Sequence, residues 1–324
     1  MAEIQSLPDA LRGQAAADPE SPFLFWPDGW NWRWWSWRET ADLAARWSAP
    51  LAGLRPACGV AFAGDSYPEA IVLDLAVMSV GLTPVPLILG SSGGGAGGHG
   101  PSAHEAGPPE PAAQTAAQAA KRAGCVAWLE VAGRELRVTR LDGPLAGSAA
   151  AAGSVAAPAA GDPGVLVAGD GGVWRRLSQA ALLAAAAEVE GAMAPPSGRQ
   201  ADSRERQILV AGWPLQEWAG RLLTAWAVAA GAALVLEADP ALRLGAVLWA
   251  RPTVFHGTAA ELAALRLRVE AARRPGRWRR LPVPPLGRLR TLFQGDPPAA
   301  DDAAFWRERG ARLLRLPGLD DVSR

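Results

Sequence analysis

Lysine is nearly absent from this sequence: Lys121 is the single lysine among 32 basic residues in 324. Chemistry that needs an ammonium point charge must therefore use one position, because arginine differs from lysine in hydration and fork geometry. Cysteine is scarce too. Cys58 and Cys125 cannot build a disulfide framework or a Cys-rich zinc site, and both read as free thiols in a reducing cytoplasm. Of three histidines, His99 and His104 lie in a glycine-rich stretch with no third metal ligand beside them. Acidic and basic residues balance at 32 each, so no net field favours nucleic acid. Long apolar runs are missing as well. Leu222–Leu236 falls short of the roughly 20 residues that span a bilayer. Gly231 divides it into a helix and a strand. The start, Met1–Ser6, lacks the basic and apolar regions of a signal peptide, which again places the chain in the cytoplasm.

What is present is a large apolar fraction, 49 %, arranged as alternating strands and helices. Strands are expected at 59–63, 84–89, 126–131, 136–141, 165–168, 208–212, 233–237, 253–255, 289–293 and 313–316. Helices are expected at 67–80, 177–192, 217–229, 241–248 and 258–273. Such alternation predicts an α/β fold with a largely parallel sheet and ligands outside the carboxyl ends of its strands. Residues 1–324 read as one domain, with a flexible Gly/Ser/Pro insertion at 90–111 and a loose Ala/Gly/Pro connection at 144–163. Trp26–Trp37 holds six of the 15 tryptophans. Its Pro27-Asp28-Gly29 turn signal predicts a hairpin, with Trp30, Trp32 and Trp34 alternating along one strand. Ser36 and Glu39 fit a capping box that opens a helix through Leu51. The aromatic hairpin reads as packing against that helix, with a stacking platform as the functional alternative.

Several segments resemble, in order, the adenylate-forming (AMP-binding) superfamily, most closely the N-terminal domain of long-chain acyl-CoA synthetases. They are Trp35-Ser36-Trp37-Arg38-Glu39, Gly59–Glu69, Gly81-Leu82-Thr83-Pro84-Val85-Pro86-Leu87 and Arg251-Pro252-Thr253-Val254-Phe255-His256-Gly257. The resemblance implies stacked, mostly parallel sheets with flanking helices, and activation of a carboxylate by ATP before transfer to a thiol. The family's small C-terminal lid, which carries a catalytic lysine, has no counterpart up to Arg324.

The motifs that would do this chemistry are altered. Gly169 and Gly172 match the framing glycines of the family's phosphate loop, but Asp170 and Gly171 replace hydroxyl residues. A phosphate charge about 4 Å from Asp170 would be repelled by roughly 4 kcal/mol at an effective dielectric of about 20. Arg175 or Arg176 is the remaining source of positive charge there, and the segment reads as a strand, a turn and a helix. Glu217 replaces a histidine in Pro214-Leu215-Gln216-Glu217. Gly295, Asp296 and Pro297 match the adenine-contacting turn. In Leu316-Pro317-Gly318-Leu319-Asp320-Asp321, Gly318 is retained, Pro317 replaces the adenine-stacking aromatic, Asp320 replaces a threonine, and Asp321 stands where the family binds magnesium. Glu217, His256 and Gly257 are the acyl-pocket candidates. Lys121 matches neither family lysine and reads as a helix C-terminal charge.

The expectation is a catalytically impaired member of the family, with ATP and Mg²⁺ serving only such activity as remains. An acyl group or CoA would be its ligand. One alternative is an active subunit completed by a separate lid polypeptide. Another is a non-catalytic interaction protein that uses the tryptophan hairpin or the arginine cluster at 266–280.

Overall fold

The computed structural model describes residues 5–55, 58–63, 68–87, 110–132, 134–141, 164–168, 174–194, 206–212, 215–273, 288–294 and 300–319. The chain opens with α1 (Leu7–Ala17), β1 (Pro22–Asp28), β2 (Asn31–Ser36), α2 (Trp37–Ser48), β3 (Gly59–Ala63), α3 (Pro68–Ser79) and β4 (Thr83–Leu87). Next come α4 (Glu110–Arg122), β5 (Ala127–Ala132), β6 (Glu135–Arg140), β7 (Val165–Ala168), β8 (Trp174–Leu177) and α5 (Gln179–Met193). The last part holds β9 (Ile208–Ala211), α6 (Trp218–Ala230), β10 (Ala233–Leu236), α7 (Pro240–Ala250), β11 (Val254–His256), α8 (Ala259–Arg273), β12 (Thr291–Gln294), α9 (Ala300–Arg307) and β13 (Arg312–Arg315).

These strands form a seven-stranded sheet in the order β13-β12-β11-β9-β10-β1-β2, a four-stranded sheet β4-β3-β5-β6, and the hairpin β7-β8. Pairing is parallel throughout the large sheet except between β1 and β2. The expected α/β fold with mostly parallel sheets is observed. Alternate residues of the large sheet enter separate cores, as a two-residue period requires. Leu209, Leu234, Val254 and Phe293 point into one core, and Val210, Val235, Phe255 and Leu292 into the other. The first core also takes Val60, Phe62, Ala127 and Leu129 from the small sheet, so it lies between the two sheets. Helices α3 and α6 fill it and are apolar on nearly every side, which fits complete burial. Helices α7, α8 and α9 cover the second core, and α4 covers the outer face of the small sheet.

Local signals explain several boundaries. Ser36 and Glu39 form the expected capping box, and α2 ends in a 3₁₀ turn at Ala49–Leu51. Gly231 closes α6 in the left-handed conformation (φ 71°) and so divides the apolar run as expected. Three expectations need correction. The phosphate-loop segment leads into a second strand and not directly into a helix, because Trp174–Leu177 pairs with Val165–Ala168 before α5 starts. Glu110 and Pro111, assigned to the insertion, belong to α4. The rest of 90–111, and all of 144–163, lie outside the described residues.

The hairpin turn also falls one residue later than its signal. Asp28 pairs with Asn31, and Gly29 takes φ 61° while Trp30 keeps a negative φ, which is the II′ arrangement. Trp30 therefore sits in the turn and is fully exposed, not in the strand. Trp26 and Trp35 are buried with ring centroids 4.8 Å apart. Trp37 stacks on Phe23 at 3.9 Å, and Trp32 stacks on Trp249 of α7 at 4.3 Å.

Candidate functional site

Parallel strands present their carboxyl ends on one edge, where chain turns outward and backbone groups become available. In the large sheet that edge carries Gly212 after β9, Glu237 after β10, His256 and Gly257 at the end of β11, Gln294 at the end of β12, and Pro317 and Gly318 after β13. The structure thus brings Glu217, His256, Gly257 and Gly318 to one edge from widely separated segments. His256 ends β11 rather than following it. Gly169, Asp170, Gly171, Gly172, Gly295, Asp296, Pro297, Asp320 and Asp321 lie outside the described residues.

Glu217 is the N-cap of α6, yet its side chain caps no backbone N–H. It is half-buried, and desolvation holds its carboxyl above the ordinary glutamate value. Its neighbour Trp218 donates its indole N–H to the carbonyl of Pro317 at 2.6 Å, tying the first turn of α6 to the segment after β13. His256 is buried at 1 % exposure, opposite Phe293 in the register. Burial first, and the nearby Arg243 cation second, push its imidazole down to about 3. It is neutral at pH 7.

Sequence reasoning missed the group that organises this edge. Arg243 of α7 is buried, and its guanidinium ties the ends of β9 and β10 to the first turn of α8. Nε donates to the carbonyl of Glu237 at 2.8 Å, and Nη2 donates to Ala238 and Gly212 at 3.0 and 3.3 Å. Nη1 donates to the Glu261 carboxylate at 2.6 Å, and that carboxylate also accepts from the N–H and hydroxyl of Thr258. A lone arginine inside the apolar Leu242-Arg243-Leu244 was the available signal. No space remains beside this knot. A Cβ on Gly212 would fall within contact distance of the Glu237 carbonyl and the Arg243 guanidinium. Gly212→Ala is expected to destabilise the protein by about 3 kcal/mol, read as a lower denaturation midpoint at unchanged slope.

A second buried pair lies deeper. Arg221 of α6 binds Asp74 of α3 and donates to the carbonyl of Leu166 in β7 at 3.4 Å. Burial raises the Asp74 carboxyl more than the arginine lowers it. The other basic residues are placed elsewhere. Arg176, one of the two arginines named as the source of charge for the phosphate loop, reaches Thr83 at the start of β4 (3.3 Å). Lys121 ends α4, and α4 leads into β5, so the lysine lies at the amino end of the small sheet. This agrees with its reading as a helix C-terminal charge. Among the described residues no three His, Cys, Asp or Glu side chains group as metal ligands. None of the described helices is long and apolar enough to cross a membrane.

No family model matches this sequence, and no curated protein matches it. Solved structures do match. The N-terminal domain of FACL13 from Mycobacterium tuberculosis superposes with a TM-score of 0.63 at 15 % identity, over 98 % of this chain and 76 % of that one. O-succinylbenzoate coenzyme A synthetase (MenE) from Bacillus subtilis, in complex with AMP, gives 0.61 at 15 % identity over 96 % and 73 %. The nonribosomal peptide synthetase FmoA3, in its AMPPNP-bound form, gives 0.63 at 17 % identity over 96 % of this chain and 31 % of that one. The chain therefore has the fold of the N-terminal domain of adenylate-forming enzymes, the fold that its sequence resemblance implied.

Proposed function

We propose that this chain is an acyl-CoA-synthetase-like domain that binds a carboxylate-bearing acyl ligand of the fatty-acid class but is impaired in activating it with ATP. The observation that carries this reading is where the cations are. Departing pyrophosphate needs positive charge held close to it. Lys121 is at the wrong end of the small sheet, Arg243 is committed to Glu261 and three carbonyls, and Arg176 donates to Thr83. Glu217 adds a half-buried carboxyl where the family resemblance expects histidine. Among the described residues, these side chains do not fit ATP and Mg²⁺ as working cofactors. A continuous core from Leu7 to Leu316 supports reading residues 1–324 as one domain. A Cys125 thiol pushed up to about 12 by burial suits a cytoplasmic protein with unoxidised cysteines.

ATP–pyrophosphate exchange across a series of fatty acids tests the proposal. Exchange is expected to stay at background, and the melting temperature to rise with a fatty acid but not with ATP and Mg²⁺. Robust exchange by the purified chain would overturn it. Exchange that appears only when a lid domain is added would replace it with the two-polypeptide alternative.

A further inference from the structure

Among the described residues, β2 has one neighbour, β1, and is an edge of the large sheet. Its backbone polarity follows from the two-residue turn. Asp28 and Asn31 close the hairpin as a hydrogen-bonded pair, so Arg33 and Trp35 also bond inward to β1. Pro22 and Pro27, which have no N–H, fall at the intervening positions opposite Ser36 and Trp32. The N–H and C=O groups of Trp32 and Trp34 therefore point outward. Natural edges are usually guarded by free charge or by proline. Here the one charged side chain of β2, Arg33, is neutralised by Asp28 at 2.5 Å.

The same edge is aromatic. Trp30 is fully exposed, and Trp34 and Trp249 are each 47 % exposed, beside the Trp32–Trp249 stack. These rings leave roughly 400 Å² in water, about half of the ~800 Å² that a standard interface takes from each partner. A lipid surface could cover the rings, but it would leave the outward backbone groups of Trp32 and Trp34 without partners. A second strand satisfies both.

We propose that β2 pairs antiparallel with β2 of a second copy of this chain about a two-fold axis at Arg33, forming a homodimer with one continuous sheet. In this register Trp32 faces Trp34 of the partner subunit as a hydrogen-bonded pair, and the symmetric pair repeats it. Four ladder hydrogen bonds form, and the indoles meet as cross-strand aromatic pairs. Arg33 faces Arg33 of the partner subunit at a position without mutual hydrogen bonds, each charge offset by its own Asp28. The interface is isologous and closed, so assembly stops at two copies.

Sedimentation velocity across a concentration series tests this. The expected result is a species of twice the 33.8 kDa chain mass. Trp34→Lys should leave the melting temperature unchanged at concentrations where the parent is monomeric, and raise the dissociation constant at least tenfold. Leu267→Lys, at a residue 65 % exposed on α8, should change neither. Arg33→Cys gives a test that does not depend on weakening anything. Residues opposed in this way lie about 4.5 Å apart at Cα, within disulfide reach, so mild oxidation should yield a covalent dimer. A chain that stays monomeric at every concentration overturns the proposal. So does a dimer indifferent to Trp34→Lys, or an Arg33→Cys chain that does not cross-link. Vesicle binding by a monomer, lost in Trp34→Lys, would assign the patch to lipid and overturn the proposal as well.

Discussion

Arg221→Met is expected to destabilise the protein by about 3–5 kcal/mol. Arg221 and Asp74 are 1 % and 3 % exposed at their side chains, packed between α3 and α6 in the core between the sheets. Removing the guanidinium leaves the carboxylate buried without its cation. Burial already raises the Asp74 carboxyl despite that cation, and loss of the cation should raise it further. Its stability should consequently fall less than the parent's on acidification, because the folded variant gains more from a proton on Asp74. The double variant Asp74→Leu/Arg221→Met is expected to recover most of the loss, because apolar groups of similar volume replace both desolvated charges. Urea denaturation of the two single variants and the double variant gives the coupling directly. A double variant no more stable than Arg221→Met would contradict the account.

Acid should destabilise the parent protein steeply below pH 6.5, with His256 responsible for much of the slope. The imidazole is held near 3 when folded against an ordinary 6.5. Between those values the unfolded chain binds a proton that the folded chain refuses, so stability is complete above pH 6.5 and is lost as the pH falls toward 3. The whole gap corresponds to roughly 5 kcal/mol. Asp74 titrates with the opposite sign, because its raised value favours proton uptake by the folded state. The difference between parent and His256→Gln isolates the histidine. That difference should shrink as the pH falls, and parallel profiles would rule out a buried neutral imidazole.

Much of this fold was legible because its signals are local. The Ser36–Glu39 capping box, the left-handed Gly231 and the apolar strands each declare themselves within a few residues. Strand β8 did not, since Trp174-Arg175-Arg176-Leu177 is neither alternating nor apolar. It is a strand because Val165–Ala168 lies opposite it. The same limit hid the Arg243 knot and the Arg221–Asp74 pair. A lone charge in an apolar helix signals a buried partner, but only the packing of α7 on α8, or of α6 on α3, says which one. The edge carrying Glu217, His256 and Gly318 was anticipated from family resemblance and from the general behaviour of parallel sheets. The Trp218–Pro317 hydrogen bond that joins two of its segments has no sequence signature.

The pairing of β1 with β10 has a consequence for synthesis. More than two hundred residues of chain separate Leu24 from its partner Leu234. At about 5–20 residues per second the ribosome needs roughly 10–40 s to supply that partner. Until then the tryptophan-rich hairpin has no sheet to join and both of its long edges are open. The nascent chain is most prone to aggregate in that interval, and its N-terminal segment is where a chaperone would have to bind.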